Sequence, residues 1–150
     1  MRRAIELARA GMDANAGGPF GCIVVRDGEI VGEGNNRVTS SNDPTAHAEV
    51  VAIRAACEKL GTFQLAGCTV YTSCEPCPMC LGAIYWARPD AIYFAGTRED
   101  AAEAGFDDEH FYNEIRASND DRELPLQPLM RDEAQAVFRD WIAKPDKVEY

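Results

Sequence analysis

The amino-acid sequence predicts an α/β fold, a sheet with helices packed on both of its faces. Short apolar runs of strand length, bounded by glycine or turn residues, alternate with longer segments of helical spacing. The strands after the first pair are joined by helices, the connection that parallel strands require. Hydrophobic residues make up 46% of the chain, which suits an ordinary globular core. At 150 residues, the chain fits a single domain, residues 1–150, that buries about two-thirds of the surface its unfolded form exposes.

Taken in order, Arg2 to about Met12 reads as a helix, with Ile5, Ala8 and Met12 on one face. Gly17-Gly18-Pro19-Phe20-Gly21 interrupts it. Cys22 to Val25 is a short strand, and Asp27-Gly28 is a hairpin signal into a second strand near Ile30 to Glu33. Asn35 to Asn42 is polar and reads as loop. Asn42 or Asp43 is placed to cap a helix with Pro44 in its first turn, giving a helix from Ala46 to Leu60 that is apolar around most of its circumference. Gly61 ends it. Cys68 to Thr72 is strand-like, Pro76 or Pro78 opens a helix to about Ala87, and Ala91 to Ala95 is another strand. The alternation implies a largely parallel sheet. Ala134, Val137, Phe138, Trp141 and Ile142 follow a helical stripe that Pro145 stops. There is no internal repeat or low-complexity tract.

Composition narrows the function. The formal net charge is −10, and polyanion binding depends on Lys and Arg neutralising phosphates, so a nucleic-acid polymer is an unsuitable substrate. Asp107-Asp108-Glu109 and Asp120-Asp121 form acidic clusters instead. No apolar run approaches the roughly 18 residues of a membrane helix, and Glu6 and Arg9 interrupt what would be a signal peptide. A cytoplasmic protein without membrane association is expected. Of the six cysteines, Cys22, Cys57 and Cys68 lie in apolar segments and read as small buried hydrophobes.

The chemistry is concentrated in two motifs, His47-Ala48-Glu49 and Pro76-Cys77-Pro78-Met79-Cys80. Together they supply an imidazole, a carboxylate and two thiols, the H-x-E and P-C-x-x-C signature of zinc-dependent nucleobase deaminases. Catalytic zinc takes three protein ligands of this kind and leaves a fourth tetrahedral position for water. Cys77 and Cys80 share a helix face, near an N-terminus whose dipole favours thiolate. Glu49 stands two residues from His47, a spacing that diverges inside a helix but converges if the helix end points into the pocket. A closed structural site of His47, Cys74, Cys77 and Cys80 is the rival for the metal. Against it, Cys74 precedes Glu75-Pro76 and falls outside the helical turn that aligns the other two cysteines. An iron–sulfur run needs a cysteine where the chain has Ile84. His110 reads as solvent-facing and Glu75 as structural.

With these motifs in view, the chain resembles the cytidine deaminase superfamily and, within it, the bacterial guanine deaminases. The similarity extends over Gly17 to Gly21, Ser41 to Glu49, Tyr71 to Pro89, Ala101 to Asp108 and the terminal Val148-Glu149-Tyr150. The middle segments are shared with tRNA adenosine deaminases, so the guanine resemblance rests on Gly105-Phe106-Asp107-Asp108 and the tail. It implies a three-layer α/β/α sandwich with a five-stranded mixed sheet and one Zn²⁺ per subunit held by His47, Cys77 and Cys80. It further implies Glu49 as proton shuttle and Asp108 at the reacting amino group, with Phe20, Asn36, Ala48, Trp86 and Tyr150 contacting a small purine base. The family arrangement is a homodimer in which the C-terminal segment, residues 146–150, is swapped, so that Tyr150 serves the neighbour's site. The expected reaction is hydrolysis of guanine to xanthine and ammonia. Deamination of another free base, a nucleoside or an aminotriazine fits the motifs and charge as well. A tRNA adenosine deaminase would need a basic surface, and a non-enzymatic zinc module would have no use for Glu49.

Overall fold

The computed structural model describes residues 1–150, which divide into two units, Met1–Asp108 and Glu109–Tyr150. In the first unit, helix α1 (Arg2–Asp13) precedes strands β1 (Gly21–Arg26) and β2 (Glu29–Asn35). These pair as an antiparallel hairpin through Asp27 and Gly28, both at positive φ, as a tight two-residue turn demands. A short helix α2 (Val38–Ser41) occupies the segment expected to be loop. Helix α3 (Ala48–Leu60), strand β3 (Cys68–Cys74), helix α4 (Pro78–Ala87), strand β4 (Ala91–Gly96) and helix α5 (Arg98–Glu103) complete the unit.

The sheet is mixed, in the order β2-β1-β3-β4, and it has four strands rather than five. It is also less parallel than the alternation implied. β2, β3 and β4 do run the same way, as helical crossovers require, but β1 lies between β2 and β3 antiparallel to both, so only β3 and β4 pair in parallel. No fifth strand follows β4 because Thr97 caps a helix at once: its side chain accepts from the Asp100 amide while the Asp100 side chain accepts from the Thr97 amide. Further on, Leu124-Pro125-Leu126-Gln127-Pro128-Leu129 alternates apolar residues but has prolines that lack the donor a strand ladder needs.

Helices lie on both faces of the sheet, and small residues set how closely. A Cβ on Gly32 would fall 2.4 Å from the Ala52 carbonyl oxygen, and one on Gly34 only 2.3 Å from that of Ala48. Facing them are Ala48, Ala52 and Ala56, all fully buried and four residues apart on one ridge of α3. Glycine against alanine lets the helix backbone rest on β2, which fixes where the first turn of α3 stands. On the other face Gly21 does the same for α1, with the Ala4 carbonyl oxygen 2.1 Å from its would-be Cβ. The main core gathers Cys22, Val24, Leu65, Cys68 and Val70 around the α3 ridge.

Helix α3 begins two residues later than expected. Asp43 does not cap it; its Oδ1 accepts from the Thr45 amide at 2.8 Å and the Thr45 hydroxyl at 2.7 Å, closing a local turn, and Asn42 ends α2 in the left-handed conformation. The second unit holds α6 (Glu109–Arg116) and α7 (Arg131–Ala143). His110, expected to face solvent, is exposed and lies 3.4 Å from Glu123. Along α7, Val137, Phe138 and Ile142 are each more than two-thirds exposed.

Candidate active site

Two helix N-termini meet at the site, and the residue that caps each one is a metal-ligand type. His47 precedes α3 and Cys77 precedes α4, both in extended backbone conformation, and neither side chain bonds back to its own helix. They face each other instead. Because His47 stands outside the helix proper, the divergence of residues two apart within a helix does not apply, and Glu49 in the first turn reaches the same point. Pro78 opens α4 at the position where its missing N–H costs nothing, and Cys80 follows one turn along.

The ligand atoms of His47, Cys77 and Cys80 lie within 4.8 Å of one another. His47 Nδ1 is 3.5 Å from Cys77 Sγ and 3.4 Å from Cys80 Sγ. A tetrahedral zinc with bonds of about 2.0 Å to nitrogen and 2.3 Å to sulfur would hold the nitrogen and each sulfur about 3.5 Å apart. Donor chemistry and spacing therefore fit zinc. Cys74 lines the cavity onto which these groups open but stands outside the triangle; its thiol donates to the Thr97 carbonyl at 3.4 Å, and burial raises that thiol to about 11, so it remains protonated. Cys77 is brought well below the ordinary thiol range, first by the hydrogen bond from Cys80 and then by His47. Cys80 is driven up by that same hydrogen bond and by burial, and His47 is raised by its bond to Cys77. The cluster thus favours one shared thiolate beside the His47 imidazole, with positive helix ends behind it.

Glu49 is 6% exposed, and burial raises its carboxyl. Its two oxygens have different partners: Oε1 accepts from the Thr72 hydroxyl at 3.3 Å and Oε2 from the Cys80 thiol at 3.4 Å. Sequence reasoning does not single out Thr72, although a hydroxyl in the otherwise apolar inward row Cys68–Val70–Thr72 is a readable signal.

These groups open onto a cavity of about 240 Å³ lined by Phe20, Asn36, His47, Glu49, Cys77 and Asp108. Asn36 Oδ1 accepts from the amides of Gly18 at 3.3 Å and Val38 at 3.1 Å, so its oxygen is committed and its NH₂ is the group left for a ligand. Burial, and then the Cys77 charge, raise the Asp108 carboxyl. Val38, Thr39 and Phe106 also line the cavity; the Phe106 ring meets Phe20 edge-to-face at 4.9 Å. Only the motif containing Phe106 was legible beforehand. Ala48 is fully buried directly behind His47. Trp86 is not in the cavity. It is 65% exposed on the last turn of α4, nine residues past Cys77 and so about 13 Å along the helix. Tyr150 belongs to the second unit and is 70% exposed.

Residues 1–96 match the family model of the cytidine and deoxycytidylate deaminase zinc-binding region. The chain is 54% identical to guanine deaminase of Bacillus subtilis (strain 168) over all of its own length and 96% of that relative. The solved structure of guanine deaminase from Bacillus subtilis superposes with a TM-score of 0.97, covering 99% of this chain and 95% of that one. A solved complex with 8-azaguanine gives a TM-score of 0.68 at 32% identity, over 93% of this chain and 80% of that one. A tRNA-specific adenosine deaminase of Aquifex aeolicus is 44% identical, but over only 51% of either chain.

Proposed function

Because the chain belongs to the cytidine and deoxycytidylate deaminase family, and within it to the guanine deaminases, we propose that it hydrolyses guanine to xanthine and ammonia. The observation that carries this reading is the His47–Cys77–Cys80 triangle with the Glu49 carboxylate beside it, opening onto a cavity of about 240 Å³. Ligand pockets for drug-sized molecules span about 300–1,000 Å³, so this one suits a free base better than a nucleotide. The acidic balance of −10 speaks against a tRNA substrate.

His47, Cys77 and Cys80 would hold one zinc ion per chain, which supplies Lewis-acid activation of a water molecule. Glu49 takes a proton from that water as its oxygen adds to C2 of the base, and delivers the proton to the adjacent ring nitrogen. The C2–N bond to the exocyclic amine then breaks. As it does so, Glu49 takes the remaining proton from the oxygen added to C2 and passes it to the amine, which Asp108 orients and which leaves as ammonia, while that oxygen becomes the C2 carbonyl of xanthine. Asn36, its oxygen already bonded to two amides, presents donors that match the acceptors O6 and N7 of guanine. Phe20 forms an aromatic wall.

We assign the active form as a homodimer in which residues 146–150 cross to the neighbouring subunit and place Tyr150 over its site. Trp86, outside the cavity of its own chain, would serve a base only from a neighbouring subunit. Support comes from the apolar residues left exposed in the single chain, Leu124, Leu129, Val137, Phe138 and Ile142 among them, an amount of apolar surface that calls for a partner. We place the enzyme in the cytoplasm. No helix is long and apolar enough to cross a membrane, and six free cysteines suit a reducing compartment.

A panel of free bases, nucleosides, aminotriazines and a tRNA anticodon stem, assayed for ammonia release, tests the reading. Guanine is expected to react fastest. Efficient release from the anticodon stem, with guanine inert, would overturn it.

A further inference from the structure

We propose that Thr72 is the positioning residue for Glu49, holding one carboxylate oxygen so that the other alone moves protons. The inference rests on the guanine deaminase reading and deepens it.

The starting point is the position of Thr72 in the sheet. In β3 the side chains of Cys68, Val70 and Thr72 are buried on one face. Thr72 pairs with Cys22 of β1, which pairs in turn with Gly34 of β2. That row lies under the first turn of α3, since Gly34 touches the Ala48 carbonyl. Every other side chain of the row is apolar or absent. Valine has the shape of threonine without its hydroxyl, and burying a hydroxyl unbonded is unfavourable. Packing alone therefore gives no reason for threonine at this 1%-exposed position. The hydroxyl has one side-chain partner, Glu49 Oε1 at 3.3 Å.

The two oxygens of Glu49 are thereby made unequal. Oε1 points into the sheet and accepts from Thr72. Oε2 points towards the ligand cluster, 3.4 Å from Cys80 Sγ. Once Cys80 serves as a thiolate ligand, it no longer donates to Oε2. The Thr72 hydroxyl is then the side-chain bond that keeps the carboxylate aimed. Oε2 is left to accept the proton of the attacking water and to return it to the base, with no change in what holds Oε1.

The test compares zinc-loaded wild type, Thr72→Val and Thr72→Ser, with Glu49→Gln as the control that loses proton transfer outright. Loss of aim should lower kcat of Thr72→Val about tenfold, the value of one hydrogen bond. KM for guanine and zinc content should stay close to wild type. Thr72→Ser, which restores the hydroxyl, should recover most of the rate. Crystal structures of the loaded variants give a readout independent of activity: the Glu49 carboxylate should leave its position in Thr72→Val and keep it in Thr72→Ser. Wild-type kcat in Thr72→Val, or an equal loss in both variants, would overturn the proposal. If Thr72→Val does not fold, the serine variant decides alone, since a serine protein that folds and binds zinc yet is as slow as Glu49→Gln would also overturn it. Failure of the guanine reading looks different, because wild type itself would then release no ammonia from guanine.

Discussion

Substituting Gly17 with alanine probes the substrate pocket without touching a metal ligand. A Cβ at Gly17 would stand 2.2 Å from Asn36 Oδ1, 2.7 Å from its carbonyl oxygen and 2.9 Å from its carbonyl carbon, where ordinary contact begins at 3.4 Å. The carboxamide oxygen has to retreat by about 1.2 Å, and two of the three contacts are with backbone that cannot rotate away. That retreat breaks the bonds from the Gly18 and Val38 amides, now 3.3 and 3.1 Å long, and frees the amide to turn. A misplacement of about 1 Å near a reacting group costs on the order of 10²-fold. Ammonia release measured against guanine concentration should show kcat/KM reduced about 100-fold in Gly17→Ala, chiefly through KM. Zinc content should be unchanged. Adding Asn36→Ala to Gly17→Ala should cost little more, because both changes remove the same contact. A normal KM in a folded, zinc-loaded Gly17→Ala protein would refute the reasoning.

Cys77→Ala should lose its zinc by metal analysis, whereas Cys74→Ala, whose thiol bonds to the Thr97 carbonyl, should keep most of it; equal loss would favour the closed four-ligand site. In the metal-free protein the depressed Cys77 thiol, at about 4, is ionised at pH 6 while the raised Cys74 thiol, at about 11, is not. Alkylation at pH 6 should therefore mark Cys77 ahead of Cys74, and protection of Cys77 should appear only as pH falls towards 4. Deleting Val148 to Tyr150 should depress guanine turnover with zinc retained. Mixing that variant with Glu49→Gln should restore activity through heterodimers carrying one intact site; confirmed subunit exchange without recovery would place each tail over its own site.

What the sequence revealed and what it hid follow from the range of the interactions involved. The metal triangle was legible because His47, Cys77 and Cys80 each sit at or near a helix start that local signals mark, Pro78 above all. The helix start at Asp43 was misplaced because aspartate closes a turn and caps a helix by the same chemistry, and Thr45 decided between them. The position of β1 between β2 and β3 depends on pairing between distant segments, which no local pattern records. Thr72 and Phe106 were missed for a related reason. Each acquires its role from a partner far away in the chain, Glu49 for the first and Phe20 for the second.

The glycine–alanine contact between β2 and α3 and the cavity lining it supports differ in their tolerance to change. Under the first turn of α3, Gly34 meets the Ala48 carbonyl at a distance no added carbon allows; any enlargement there is transmitted straight to His47, and overpacking costs about 1–3 kcal/mol before chemistry is considered. Part of the cavity lining, by contrast, is Val38, Thr39 and Phe106, on a four-residue helix and a loop that carry little of the core. Selection for a differently shaped heterocycle should therefore draw its successful variants from Val38, Thr39 and Phe106, leaving Gly32, Gly34, Ala48 and Ala52 as they are.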